Sequence, residues 1–139
     1  MLIVMDTDVL VAALRSPRGA SAALLRQVRE GRLRMAASVS LFMEYEAVCR
    51  REDHRMAAGL SEAQMGVFLD AVAALIEPVE VHFSWRPQLR DPADELVLEA
   101  AVNAQADALL SFNHRHFRGV THRFGLRLAL PGEFLRSLR

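Results

Sequence analysis

Lysine is absent from this chain: all 17 basic residues are arginine. That removes Schiff-base chemistry and the lysine-dependent phosphate loop of nucleotide hydrolases. Cysteine is almost absent as well. Cys49 stands alone, which excludes an intramolecular disulfide and any cysteine-based metal cluster. No apolar run approaches the roughly 18 residues that a membrane span needs. The opening apolar run meets Asp6 too early for a secretory signal. Internal repeats, low-complexity tracts and linkers are missing. Net charge is zero, with 17 acidic residues against 17 basic ones, so no global field pulls the protein toward nucleic acid or a membrane. These absences together predict a soluble, cytoplasmic protein with no membrane association. RNA is not excluded by neutrality, because arginine reads phosphate in a bidentate manner. Genome composition accounts for the arginine bias at least as simply.

What is present suits one packed α/β domain over residues 1–139. Apolar residues make up 52% of the chain, and a chain of this length buries roughly two-thirds of its unfolded surface. Leu2-Ile3-Val4-Met5 reads as a strand buried on both faces, ending in Asp6-Thr7-Asp8. Helical patterns follow over 9–14, 20–30, 38–51 and 61–76, with strands at 33–37, 108–110 and 126–130. Ser61 with Gln64 three residues on predicts a capping box. Residues 52–60 read as a polar loop. Pro78 should end a helix, and the alternation over 79–83 predicts an edge strand. Pro131-Gly132 introduces a terminal helix. Alternating helices and short strands predict a mostly parallel central sheet.

The stretch from Asp91 to Asn113 carries the chemistry. Asp91-Pro92 opens a helix with an N-cap followed by proline at its first position. Asp94 and Glu95 add two carboxylates in the first turn, which the helix dipole alone would explain. The apolar run 108–110 then reads as a buried strand leaving into Ser111 and Asn113. In parallel sheets, ligands bind beyond the carboxyl ends of the strands, where strand order switches. Asp6 ends one such strand, and the Asp94 helix start should lie nearby. Converging carboxylates without basic partners repel one another, and a divalent cation relieves that repulsion while leaving positions for phosphate oxygens. Hydrolysis of a phosphodiester is the chemistry such a site supports. Glu44 and Glu46 both flank the apolar stripe of the third long helical segment, and helical geometry does not choose between them.

Here the chain resembles the PIN domain, a nuclease fold found in the toxins of bacterial toxin–antitoxin pairs. The resemblance rests on an apolar strand ending in Asp6, on Glu44-Tyr45, on the block from Arg90 to Phe117, and on the ending Leu128-Ala-Leu-Pro-Gly-Glu-Phe-Leu135. It implies a three-layer α/β/α fold and a Mg²⁺- or Mn²⁺-dependent ribonuclease. Asp6, Glu44 and Asp94 would be the metal-binding acids, and the resemblance thus chooses Glu44. It also implies RNA as substrate and an antitoxin protein as partner, and it is compatible with a homodimer. The chain departs from the pattern at the fourth acid. Many relatives carry Asp where this chain has Asn113, which offers an oxygen but no charge. Asn113 is kept as a fourth active-site residue, and a second metal should bind less tightly beside three carboxylates.

Two other readings compete. Asp6-Thr7-Asp8 after an apolar strand also fits a haloacid-dehalogenase-like phosphatase with Asp6 as nucleophile, although the late strand ends without the acid that such enzymes use. Alternatively, a PIN domain depleted of acids would serve as an RNA-binding module. Asp8 reads as a cap for the first helix. His114, His116 and His122 read as surface or RNA-facing residues, the first two in a loop. Phe83 and Trp85 could stack on a base, but such residues more often cover a core edge.

Overall fold

The computed structural model describes residues 1–82 and 88–138. Strands β1 (Leu2–Met5), β2 (Arg34–Ala37), β3 (Ile76–Pro78), β4 (Ala108–Leu110) and β5 (Arg127–Ala129) form one sheet in the order β3-β2-β1-β4-β5. Every neighbouring pair is parallel. The continuous apolar runs of β1 and β4 are explained by burial on both faces. Ile3, Val4, Met5, Leu109 and Leu110 are wholly enclosed. Among the described residues the helices are α1 (Thr7–Arg15), α2 (Ala20–Arg29), α3 (Val39–Cys49), α4 (Glu52–Ala58), α5 (Glu62–Leu75), α6 (Pro92–Ala104), α7 (His114–Arg123) and α8 (Pro131–Ser137). None of them is long and apolar enough to cross a membrane.

From β1 the chain moves outward to β2 and β3, then crosses back to β4 on the other side of β1 and on to β5. Right-handed crossovers in opposite directions put their helices on opposite faces. Accordingly α6 lies across β2, β1 and β4 and touches α7, whereas α1 packs on α2 and α2 on α8. This gives the three-layer α/β/α arrangement expected. Strand order reverses between β1 and β4, so the crevice for a ligand opens at the carboxyl ends of those two strands.

Helix α3 meets both α1 and α6. Ser38 caps it by accepting from the Leu41 N–H at 3.1 Å. Its fully buried Tyr45 hydroxyl donates to the Met5 carbonyl, one residue before Asp6. Tyr45→Phe deletes that donor inside the core, so it should cost about 1 kcal/mol, read as a lower melting temperature in thermal denaturation.

Two sequence expectations need correction. The polar stretch 52–60 forms α4, a seven-residue helix with no buried residue, acids in its first turn and Gly59 in the left-handed region at φ 71° as its stop. With only His54, Arg55 and Ala58 half-buried, it has no apolar stripe to read. The edge strand lies at Ile76–Pro78, and residues 79–82, the described part of the expected 79–83, form none, because α5 ends at Leu75 and the chain pairs with β2 immediately. Sheet bonding ends with Val79, whose N–H donates to the Ala37 carbonyl at 3.1 Å. Pro78, without an N–H, is tolerated because β3 is an edge strand. The expected stacking residues Phe83 and Trp85 fall outside the described residues.

Candidate active site

Asp6 is the residue at which β1 turns into α1. Its backbone N–H still pairs with β4, donating to the Leu110 carbonyl at 2.8 Å. Its side chain accepts from the Thr7 N–H at 2.7 Å and caps α1. The cap of this helix is therefore Asp6 and not Asp8, which lies inside the first turn. Across the strand gap, Ser111 Oγ donates to Asp6 Oδ2 at 2.6 Å and accepts from the Asn113 N–H at 2.9 Å. A chain of hydrogen bonds thus runs from the exit of β4 to the end of β1.

Asp8 belongs to the same cluster. Its Oδ2 accepts from the Phe112 N–H at 3.2 Å and from Asn113 Nδ2 at 3.1 Å. Its Oδ1 is closed off from solvent and has no hydrogen-bond partner. Asn113 precedes α7 without a side-chain cap hydrogen bond, and its Nδ2 donates to Asp8.

Asp94 enters from the first turn of α6, 6% exposed. His116 Nδ1 lies 2.9 Å from Asp94 Oδ2. His114 and His116 are the first and third residues of α7 and not loop residues as expected. His116 joins the acids, His114 Nε2 is enclosed without a partner, and His122 lies exposed in the last turn. The acid neighbours of Asp94 divide by task. Asp91 caps α6, accepting from the Ala93 N–H at 2.9 Å. Glu95 is buried instead of being surface charge, and its Oε1 accepts from the backbone N–H groups of Gln88 and Leu89 at 2.5 and 2.6 Å. It fixes the segment that leads into α6.

All three aspartates have carboxyls raised above their ordinary range, with burial as the largest cause in each. Burial raises the Asp6 carboxyl above the usual range, against the opposing hydrogen bonds of Ser111 and Thr7. Burial and then the charge of Asp6 push Asp8 up to about 7. Burial, then the charges of Asp6 and Asp91, raise Asp94, with His116 opposing. Like charges gathered in a poorly solvated place leave an unmet demand for positive charge.

Glu44 lies on α3, half-buried, one residue before Tyr45. The hydrogen bonds and charge interactions that tie Asp6, Asp8, Asp94 and His116 together do not include it. Glu46 is exposed. Among the described residues, no three His, Cys, Asp or Glu side chains form a ready-made cage for a metal ion. Mg²⁺ does not need one, since it keeps several waters and takes one or two carboxylates. The donor set therefore fits a hard divalent cation: all-oxygen ligands, raised carboxyl pKa values and an orphaned Asp8 oxygen.

Beside Asp94 opens a cavity of about 480 Å³ whose walls include Leu89, Arg90, Arg115, His116 and Val120. Phe112 is 48% exposed at the mouth of β4, between Ser111 and Asn113.

Sequence reasoning put Ser111 at the right strand end but missed Asp8 and His116 as parts of this cluster. The signal for Asp8 was its acid two residues after Asp6, and for His116 its place in the turn after β4. Neither shows partners 22 to 105 residues away.

By structure, the chain is similar to a chain of the VapBC2 assembly of Rickettsia felis, crystallised on a DNA fragment from its promoter. The TM-score is 0.66 at 14% identity, over 94% of this chain and 98% of that one. No curated protein matches it by sequence. The model of the PIN domain family matches residues 2–115, spanning the carboxyl ends of β1 and β4 and the α6 start, and the chain therefore belongs to the PIN domain family.

Proposed function

We propose that this protein is a metal-dependent endoribonuclease and the toxin of a toxin–antitoxin pair. The observation that carries the reading is the crowding of the buried or half-buried carboxyls of Asp6, Asp8 and Asp94 at the switch point of the sheet, with the charge of His116 opposing those of Asp6 and Asp94. Membership of the PIN family supports it and sets aside the phosphatase reading of Asp6-Thr7-Asp8. Asp6, Asp94 and Glu44 are the residues that would hold Mg²⁺ or Mn²⁺, with Asn113 at their edge. When bound, the ion supplies Lewis-acid activation of water and neutralises charge on the phosphate.

The chain's own residues do the rest. Ser111 fixes the Asp6 carboxylate through one short hydrogen bond. His116 holds Asp94 through its Nδ1 and lines the neighbouring cavity. That cavity, walled by Arg90 and Arg115, gives the ribose–phosphate strand a cationic side facing the acidic one. Phe112 offers an exposed ring for a base. The likeness to a chain of the VapBC2 assembly supports a protein partner of the antitoxin kind.

The test is incubation of the purified protein with mixed RNA in Mg²⁺, in Mn²⁺ and in chelator. Cleavage should occur with either ion and stop in chelator. A well-folded sample that binds RNA yet leaves it intact in both ions would favour the binding-module reading instead. In the cleaving case, Arg90→Gln with Arg115→Gln should weaken RNA binding and lower the slope of log Kd against log salt by about 0.7 per arginine, the value for single strands. An unchanged slope would place the strand elsewhere.

A further inference from the structure

We propose that Asp8 supplies a carboxylate oxygen to a divalent cation in this site, creating a second cation position on its side of Asp6, with Asn113 holding it in place. The inference rests on the metal-dependent reading above and extends it to a residue which that reading does not use.

The geometry has three parts. An ionised carboxylate offers about four lone-pair positions. Asp8 Oδ2 takes two donors, the Phe112 N–H and the Asn113 side-chain amide, which fixes the plane of the group. Asp8 Oδ1 takes no N–H or hydroxyl donor, although it is shut off from solvent, and the Asp6 carboxyl lies within hydrogen-bond reach of the Asp8 side chain. A buried polar atom without a partner is uncommon in a folded protein, and an ion is one of the few things that explain it. The free oxygen also has the right neighbour. Asp6 is two residues away on the same turn, and its own donors come from Thr7 and from Ser111 on the β4 exit. The pair thus presents oxygens to one ion from a single rigid corner of β1 and α1.

Asn113 then has a definite task. By donating Nδ2 to Asp8 it orients the carboxylate and leaves its charge intact. A carboxylate at position 113 and an amide at position 8 would exchange donor and acceptor in that bond, at the cost of the acceptor for the Phe112 N–H. The negative charge of this corner can therefore be moved across the bond without changing its total.

The competing explanation is a proton shared between the carboxyls of Asp6 and Asp8, with no ion there at all. Calorimetric titration with Mn²⁺ alone, on the whole chain after chelator treatment, separates the two. Wild type should bind one ion tightly and a second more weakly. Asp8→Asn should lose the second and hold the first less well, a loss of about 10- to 100-fold being usual for a group that shapes a metal site. The exchanged pair, Asp8→Asn with Asn113→Asp, should recover the ion count of wild type and its Mn²⁺-induced rise in melting temperature. Asn113→Asp alone should melt lower than wild type in chelator and gain more from Mn²⁺.

The substitutions are nearly isosteric, and thermal melts in chelator report whether each variant is folded. If Asp8→Asn takes up Mn²⁺ with the stoichiometry and affinity of wild type, Asp8 is no ligand and the shared proton is the better account. If wild type itself takes up no Mn²⁺, the metal-dependent reading falls and this inference with it.

Discussion

Asp94→Ala should lower metal-dependent RNA cleavage by about 100-fold or more, since even outer partners of metal ligands are worth ~10–100-fold. Asp91→Ala, three residues earlier, should chiefly cost stability, about 1 kcal/mol as for a lost N-cap. The two acids share one helix start, but their surroundings differ. Asp91 is exposed and spends its oxygen on the Ala93 N–H. Asp94 is buried, raised in pKa by burial and by Asp6, and tied to His116. The stability effects should differ in sign as well. In chelator at neutral pH, removing Asp94 relieves crowded negative charge, so that variant should melt no lower than wild type. The Asp91 variant should melt lower. Initial cleavage rates in Mn²⁺ and melts in chelator give both readings. Loss of cleavage in Asp91→Ala at an unchanged melting temperature would reverse the roles.

The metal-free protein should lose stability as pH rises through the weakly acidic range. Asp6, Asp8 and Asp94 all have carboxyls raised above their ordinary value of 3.8, Asp8 to about 7. Between those limits the folded state keeps protons that the unfolded chain releases, so the slope of stability against pH is negative. The contribution is full below 3.8 and gone once pH passes about 7. Two carboxylates are shifted the other way, Asp53 and Glu77, but both are solvent-exposed ion-pair partners and weigh little. Asp8→Asn should flatten the slope and raise the melting temperature in chelator above pH 7, at roughly 2–8 °C per kcal/mol recovered. Mn²⁺ should invert the trend, because metal and protons compete for the same oxygens. Melts in chelator that stay level from about pH 5 to about pH 8 would mean that the acids do not crowd one another in solution.

Features whose cause is local were legible in the sequence. The capping box at Ser61 forms with both of its hydrogen bonds. Asp91-Pro92 opens α6 as read, and the apolar runs at 2–5 and 108–110 are the two central strands. The parallel α/β class followed from those elements alone. Features decided by tertiary packing were not legible. α4 has no fully buried residue and no apolar stripe, so periodicity was silent about it. The turn that places His116 over Asp94 depends on how α7 is rotated against α6, and no spacing within either helix records that. Asp8 looked like a cap because a helix start explains any acid. Only the exit of β4, more than a hundred residues later, shows that its partners are Phe112 and Asn113.

The placement of β1 between β2 and β4 has a consequence for synthesis of the chain. The Asp6–Ser111 hydrogen bond joins residues 105 apart, and β1 stays open on that side until β4 arrives. At 5–20 residues per second, roughly ten seconds separate translation of the first acid from translation of its last support. During that interval the amino-terminal half carries Asp6, Asp8 and Glu44 with neither the α6 start nor the β4 exit to gather them. Long-range pairing of this kind is also slow in itself. Truncated products ending before Ser111 would hold most of the fold's helices and no assembled acid cluster, so whatever this corner does belongs to finished chains alone.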